Sequence, residues 1–127
     1  MRIVIADDSD MLRNSIKESL NGVKNVEIVG EAKNGVEAVK IIQEKKPDFV
    51  LLDVRMPDMN GIEVLKKIKG QLSGTKICVF TNYPYIQYKA KCLEEGADYF
   101  FDKNVNFQEI KELIEQYVEA EAGGSNG

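Results

Sequence analysis

The side chains in this sequence whose types and order suggest chemistry are two adjacent acids, Asp7-Asp8, a single acid at Asp53, a hydroxyl at Thr81 and an amine at Lys103. Each closes a short apolar run: Arg2-Ile3-Val4-Ile5-Ala6, Phe49-Val50-Leu51-Leu52, Ile77-Cys78-Val79-Phe80 and Tyr99-Phe100-Phe101. Such runs read as strands covered on both faces, as in a parallel sheet, and ligands bind outside the carboxyl ends of those strands. Three carboxylates gathered there repel one another, and protonation or a bound cation relieves the repulsion. Mg²⁺ suits the purpose, because it prefers one or two carboxylates, waters and a phosphoryl oxygen to a full protein cage. A metal of that kind offsets charge on a phosphoryl group moving to Asp53; Lys103 supplies a second cation and Thr81 a hydroxyl for a phosphoryl oxygen.

The elements that must carry these residues alternate along the chain. After the first strand, Leu12, Ile16 and Leu20 recur at helical spacing, and Asp10 reads as that helix's cap. Asn21-Gly22 closes the helix, Val26 to Val29 makes a second strand, and Asn34-Gly35 leads to a helix marked by Val36, Val39 and Ile42. Pro47 ends the linker into the central run, which breaks at Met56-Pro57-Asp58-Met59-Asn60-Gly61 before a helix carrying Ile62, Leu65 and Ile68. Pro84 suits the first turn of a fourth helix that stops at Gly96, and Phe107, Ile110, Leu113, Ile114 and Tyr117 give a last amphipathic one. Strands alternating with helices imply right-handed parallel crossovers and a doubly wound α/β sandwich. One domain over residues 1–118 is expected, with 119–127 a flexible tail or shortened linker, because apolar periodicity stops and the chain ends Gly-Gly-Ser-Asn-Gly.

At 127 residues the chain can bury a core without disulfides or structural metal. A net charge of -4 with no basic stripe argues against nucleic acid as a direct partner. Two cysteines, Cys78 and Cys92, read as inert buried thiols in a reducing cytoplasm. Neither a signal segment nor an apolar stretch near membrane-spanning length is visible, so secretion and membrane insertion are not expected. Met11 and Met59 read either as exposed docking residues or as gap fillers.

In these residues the chain resembles the receiver domains of two-component response regulators. The resemblance runs from Arg2 to Tyr117 and rests on Asp7-Asp8, the Asp53-Val-Arg-Met-Pro-Asp-Met-Asn-Gly61 segment, Thr81, and Gly96-Ala97-Asp98 leading to Lys103. It implies a flavodoxin-like fold with strand order 2-1-3-4-5, the order a receiver exemplifies among doubly wound sheets. It also implies that Asp53 accepts a phosphoryl group from a sensor kinase histidine. Asp8, Asp53 and the Arg55 main-chain carbonyl would ligate Mg²⁺, with Asp7 acting through a water. Thr81 and Lys103 would hold phosphoryl oxygens, and Phe100 would be a switch aromatic following Thr81. Arg55 and Tyr83 fall where the lifetime of the phosphoryl group is tuned. Family members commonly place a cis proline after the lysine, where this chain has Asn104. The implied partners are a sensor histidine kinase or phosphotransfer protein, then a downstream protein or an output domain beyond this chain, with homodimerisation through the fourth and fifth helices as a further option.

Two other classes compete. A Mg²⁺-dependent phosphohydrolase would turn over through an aspartyl phosphate on Asp53, but such enzymes carry a second acid two residues on, where this chain has Arg55. A flavodoxin-like nucleotide binder needs a Gly-rich phosphate loop after the first strand, where Asp7-Asp8 would repel phosphate.

Overall fold

The computed structural model describes residues 1–82, 86–103 and 107–124. Strands β1 (Arg2–Ala6), β2 (Glu27–Ala32), β3 (Phe49–Leu52), β4 (Lys76–Thr81) and β5 (Tyr99–Asp102) alternate with helices α1 (Asp10–Leu20), α2 (Gly35–Lys45), α3 (Gly61–Ile68), α4 (Ile86–Glu94) and α5 (Gln108–Gly124). All strand pairs are parallel, in the order β2-β1-β3-β4-β5. This is the doubly wound, flavodoxin-like α/β sandwich expected from the sequence.

The unbroken apolar runs follow from helices on both faces. Val4, Ala6, Val50, Leu52 and Val79 point to one side and pack with Ala38 and Ile42 of α2, Val64, Leu65 and Ile68 of α3, and Cys92 of α4. Their neighbours Ile3, Ile5, Phe49, Leu51, Cys78 and Phe80 point to the other and meet Ile16 and Leu20 of α1 and Ile110 and Ile114 of α5. Successive side chains of a strand face opposite ways, so each strand must be apolar at every position to serve two cores. Each Leu or Ile buried fully in this way contributes roughly 1.5–3 kcal/mol.

Side-chain oxygens start three of the helices. Ser9 accepts from Leu12 N at 3.2 Å, Asn34 from Glu37 N at 2.8 Å, and Asn60 forms a capping box with Glu63. Four local expectations are corrected. Ser9, not Asp10, caps α1; Asp10 is the first helical residue and pairs instead with Arg13. The buried stripe of α2 runs through Gly35, Ala38 and Ile42 at helical spacing, whereas Val36 lies off that stripe and is 55 % exposed. β2 begins and ends later than Val26 to Val29, since its pairing with β1 runs on to Ala32. Helix α5 continues to Gly124. Glu119, Ala120 and Glu121 are good helix formers and extend it while staying exposed. Pro84 lies outside the described residues.

Two glycines fix the loop after β3. A Cβ on Gly61 would lie 2.3 Å from the Asp53 carbonyl oxygen, and one on Gly35 would lie 1.9 Å from that of Met59. The obstacles are backbone, which no rotamer change relieves. Gly61→Ala is expected to cost about 2–3 kcal/mol by urea unfolding, and Gly22→Ala, with nothing within 4 Å of its new methyl, less than about 0.5 kcal/mol.

Candidate functional site

The strand ladders themselves deliver the site residues. Asp7, Asp53 and Lys103 are each the first residue past a strand, and their main-chain N–H groups still donate across the sheet, to Ala32 O at 2.9 Å, Ala6 O at 2.9 Å and Thr81 O at 2.8 Å. All three therefore emerge on one edge. Thr81 ends β4 beside Asp102, and Asp8 follows on the turn into α1.

Asp7, Asp53 and Thr81 are the buried polar residues among those described. The Lys103 ammonium, its side chain only 10 % exposed, donates to Asp7 Oδ2 at 2.5 Å and Asp53 Oδ2 at 3.0 Å. Ser9 N donates to the other Asp7 oxygen at 2.8 Å. Ligand oxygens of Asp7, Asp8 and Asp53 all lie within 4.8 Å of one another. These residues, with Ser9, Arg55, Asn82 and Lys103, line an open cavity of about 300 Å³. A larger groove of about 600 Å³ adjoins it, lined by Asp8, Arg55, Met56, Asn60 and Tyr88 among others.

The Lys103 ammonium bonds two of the three carboxylates and Arg55 adds a second cation to the lining, which still leaves the cavity with an excess of negative charge. Burial pushes the Asp53 carboxyl above its ordinary value; Lys103 pulls it down, the Asp7 charge pushes it up again, and a Thr81 side-chain hydrogen bond partly opposes the rise. Burial alone would lower Lys103, but its bonds to Asp7 and Asp53 outweigh that and raise it. Asp53 Oδ1 is buried with no hydrogen-bond partner among the described residues. An oxygen of that kind is costly unless something binds it. The donor set is all oxygen and mostly anionic, which fits a hard divalent cation.

The arrangement thus brings together Asp7, Asp8, Asp53, Arg55, Thr81 and Lys103. Phe100 stands apart from the cavity: it pairs with Val79, on the same sheet face as the neighbouring Thr81–Asp102 pair, and is half-buried against the α2–α4 core. Tyr83 and the Lys103-Asn104 peptide lie outside the described residues. Cys78 and Cys92 are buried free thiols, both pushed up by burial, Cys92 to about 11. Met11 is 80 % exposed, whereas Met59 packs against the core. Sequence reading missed Ser9 and Asn82, whose only signal is that each directly follows a site residue.

The model of the response regulator receiver domain matches residues 3–115. The chain belongs to this family. The receiver domain is 38 % identical over 110 residues to the uncharacterized transcriptional regulatory protein YhcZ of Bacillus subtilis, covering 87 % of this chain and 51 % of that protein. It is 30 % identical over 114 residues to the response regulator protein VraR of Staphylococcus saprophyticus, covering 90 % and 54 %. It therefore spans about half the length of the curated relatives it matches. Among solved structures it resembles the signal receiver domain of the putative response regulator NarL from Mycobacterium tuberculosis, with a TM-score of 0.84 and 28 % identity over 93 % of this chain and 95 % of that one. The family is one of signalling domains rather than small-molecule catalysts, and these matches give the phosphohydrolase reading no support. No helix among the described residues is long and apolar enough to cross a membrane.

The raised Asp53 carboxyl has a consequence for stability. Its ionised form costs the folded state, and that cost is absent below the unfolded carboxylate pKa and complete above the folded one. Asp53→Asn is therefore expected to raise the thermal midpoint at pH 7.5 without metal by about 3–6 °C, the shift that roughly 1 kcal/mol produces in a domain of this size. The advantage should shrink as pH falls toward about 4, where the unfolded carboxyl protonates. Calorimetric scans of both proteins from pH 4 to pH 8 check this; parallel curves would contradict it.

Proposed function

We propose that this receiver domain accepts a phosphoryl group on Asp53 from a phosphohistidine of a sensor kinase or phosphotransfer protein, with Mg²⁺ bound, and changes its surface in response. The observation that carries this reading is the buried Asp53 Oδ1, without a hydrogen-bond partner among the described residues, in an acidic cavity that Lys103 only partly neutralises. Asp8, Asp53 and the Arg55 main-chain carbonyl are the proposed metal ligands, with Asp7 held by Lys103 and acting through a water. The metal, when bound, offsets phosphoryl charge. An Asp53 oxygen forms the new O–P bond as the donor N–P bond breaks, and the imidazole leaves with its electron pair and is protonated by solvent. Lys103, released in part from Asp53, bonds a phosphoryl oxygen, and the Thr81 hydroxyl bonds another.

The acyl phosphate adds nearly two negative charges at this edge and shifts a pre-existing equilibrium between two surface states. Moving from mostly off to mostly on requires about 5.5 kcal/mol of differential stabilisation. The proposed output face is α4, β5 and α5, reached through Thr81 and Phe100, and it meets a downstream protein, a second copy, or an output domain. Relatives about twice as long, one named a transcriptional regulatory protein, favour the last; the proposed receiver unit is residues 1–118, in the cytoplasm.

Intact mass after incubation with Mg²⁺ and acetyl phosphate tests the reading. One phosphoryl adduct is expected, absent without Mg²⁺ and absent in Asp53→Asn; an adduct in that variant would move the acceptor elsewhere. Arg55 and Tyr83 are proposed to hinder attacking water, so Arg55→Ala with Tyr83→Ala should speed loss of the adduct at least about twofold. A phosphate mimic should also move amide resonances around Phe100 and along α5; an unchanged spectrum there would remove the proposed output face.

A further inference from the structure

We propose that Arg13 is a positioning residue that sets the direction of the Asp8 carboxylate; this rests on the reading of Asp7, Asp8 and Asp53 as a Mg²⁺ site. Arg13 lies on α1, one turn beyond the acidic pair, and its side chain is only 11 % exposed. The guanidinium makes three contacts. It donates through Nη1 to the main-chain carbonyl of Asp7, through Nη2 to the Asp10 carboxylate, and through Nε to Glu31 Oε1 at 3.1 Å. Glu31 also receives Lys17 Nζ at 2.8 Å and neighbours Ala32, whose carbonyl accepts from Asp7 N.

Asp8 is exposed, and among the described residues no hydrogen bond or ion pair holds its side chain. The direction in which it leaves the main chain is therefore set by its backbone. The Asp7 carbonyl and the Asp8 N–H share one rigid plane, so fixing that oxygen fixes the plane from which the Asp8 side chain departs. The Asp7 side chain and N–H are tied to Lys103, Ser9 and Ala32; Arg13 supplies the remaining tie, on the carbonyl itself. Only a planar fork with several donors reaches a carbonyl and two carboxylates at once, whereas a lysine is a single point charge.

Charge and geometry predict opposite signs here. Deleting a cation beside an acidic cluster tightens a divalent ion by Coulomb attraction, whereas releasing the Asp8 backbone loosens it. Calorimetric Mg²⁺ titration of the whole chain in about 0.15 M salt separates the two. Arg13→Met, which keeps an apolar stem, is expected to weaken Mg²⁺ about tenfold, and Glu31→Gln, which leaves the carbonyl contact intact, by less than about twofold. Arg13→Lys is expected to fall between, and serves if Arg13→Met does not fold. Unchanged or tighter binding in the Arg13 variants overturns the inference, as does equal weakening in Glu31→Gln. A second readout needs no metal: the Asp8 and Ser9 amide resonances should move in Arg13→Met and stay in Glu31→Gln, and stationary resonances in both overturn the inference. If the wild-type chain binds no Mg²⁺, the metal-site reading fails by itself, and the amide spectra still decide whether Arg13 holds the turn.

Discussion

The contact on which the rest of the site depends is the Lys103 ammonium lying between Asp7 Oδ2 and Asp53 Oδ2. Its partners come from β1 and β3, and the lysine from β5, so one cation ties three strands at their carboxyl ends. Without it, two buried carboxylates and the nearby Asp8 would face one another with no ammonium between them. With it, the cluster still carries surplus negative charge, which is why burial lifts Asp53 while the carboxylates lift Lys103. Removing Lys103 would strand two buried carboxylates, a kind of loss that costs about 3–5 kcal/mol, whereas losing Asp53 leaves Lys103 paired with Asp7. The site is thus held together and left electrostatically unfinished by the same interaction.

Holding acids against their mutual repulsion requires a rigid frame, and the sheet register supplies it. A one-residue slip would turn every side chain to the other face and exchange the two cores. Full burial on both faces makes such a slip very unfavourable, so the residues just past the strands are placed by the packing of residues well inside. The loop after β3 adds a second constraint. Gly61 N donates to Val54 O at 2.7 Å, and Gly35 N to Pro57 O at 3.4 Å, so this loop is seated on the backbone beside Asp53 and on the start of α2. The glycines are there because a side chain would occupy that backbone's space.

How much of this was legible depended on whether a feature is local. The apolar runs ending in Asp7, Asp53, Thr81 and Lys103 are continuous in sequence, so the sheet, its edge and the acidic cavity could be read directly. The α2 face was less legible, since Val36 is apolar yet points to solvent, and Ala38 is too small to stand out in a pattern. Asp10 carries a cap's chemistry, but Ser9 does too, and the choice was settled by Arg13 drawing Asp10 into an ion pair. Arg13 itself was invisible. Its partners are Asp7, Asp10 and Glu31, and the last joins it only when β2 pairs with β1.

The same geometry explains how a local charge change could reach a distant face. Lys103 follows β5 directly, and Phe100 lies on that strand, packed against the core shared by α2, α3 and α4. Any event that draws Lys103 from Asp53 toward a new anion pulls on the end of an edge strand, which among the described residues pairs with β4 alone. On its other face, Tyr99 is tied through its hydroxyl to Tyr117 of α5, and that bond pushes the Tyr99 phenol up to about 12. β3 in the middle is fixed by two neighbours and two cores, so it serves as the anvil. β5 pairs on one side and its four residues are only half-buried, so displacement costs less there than at β3.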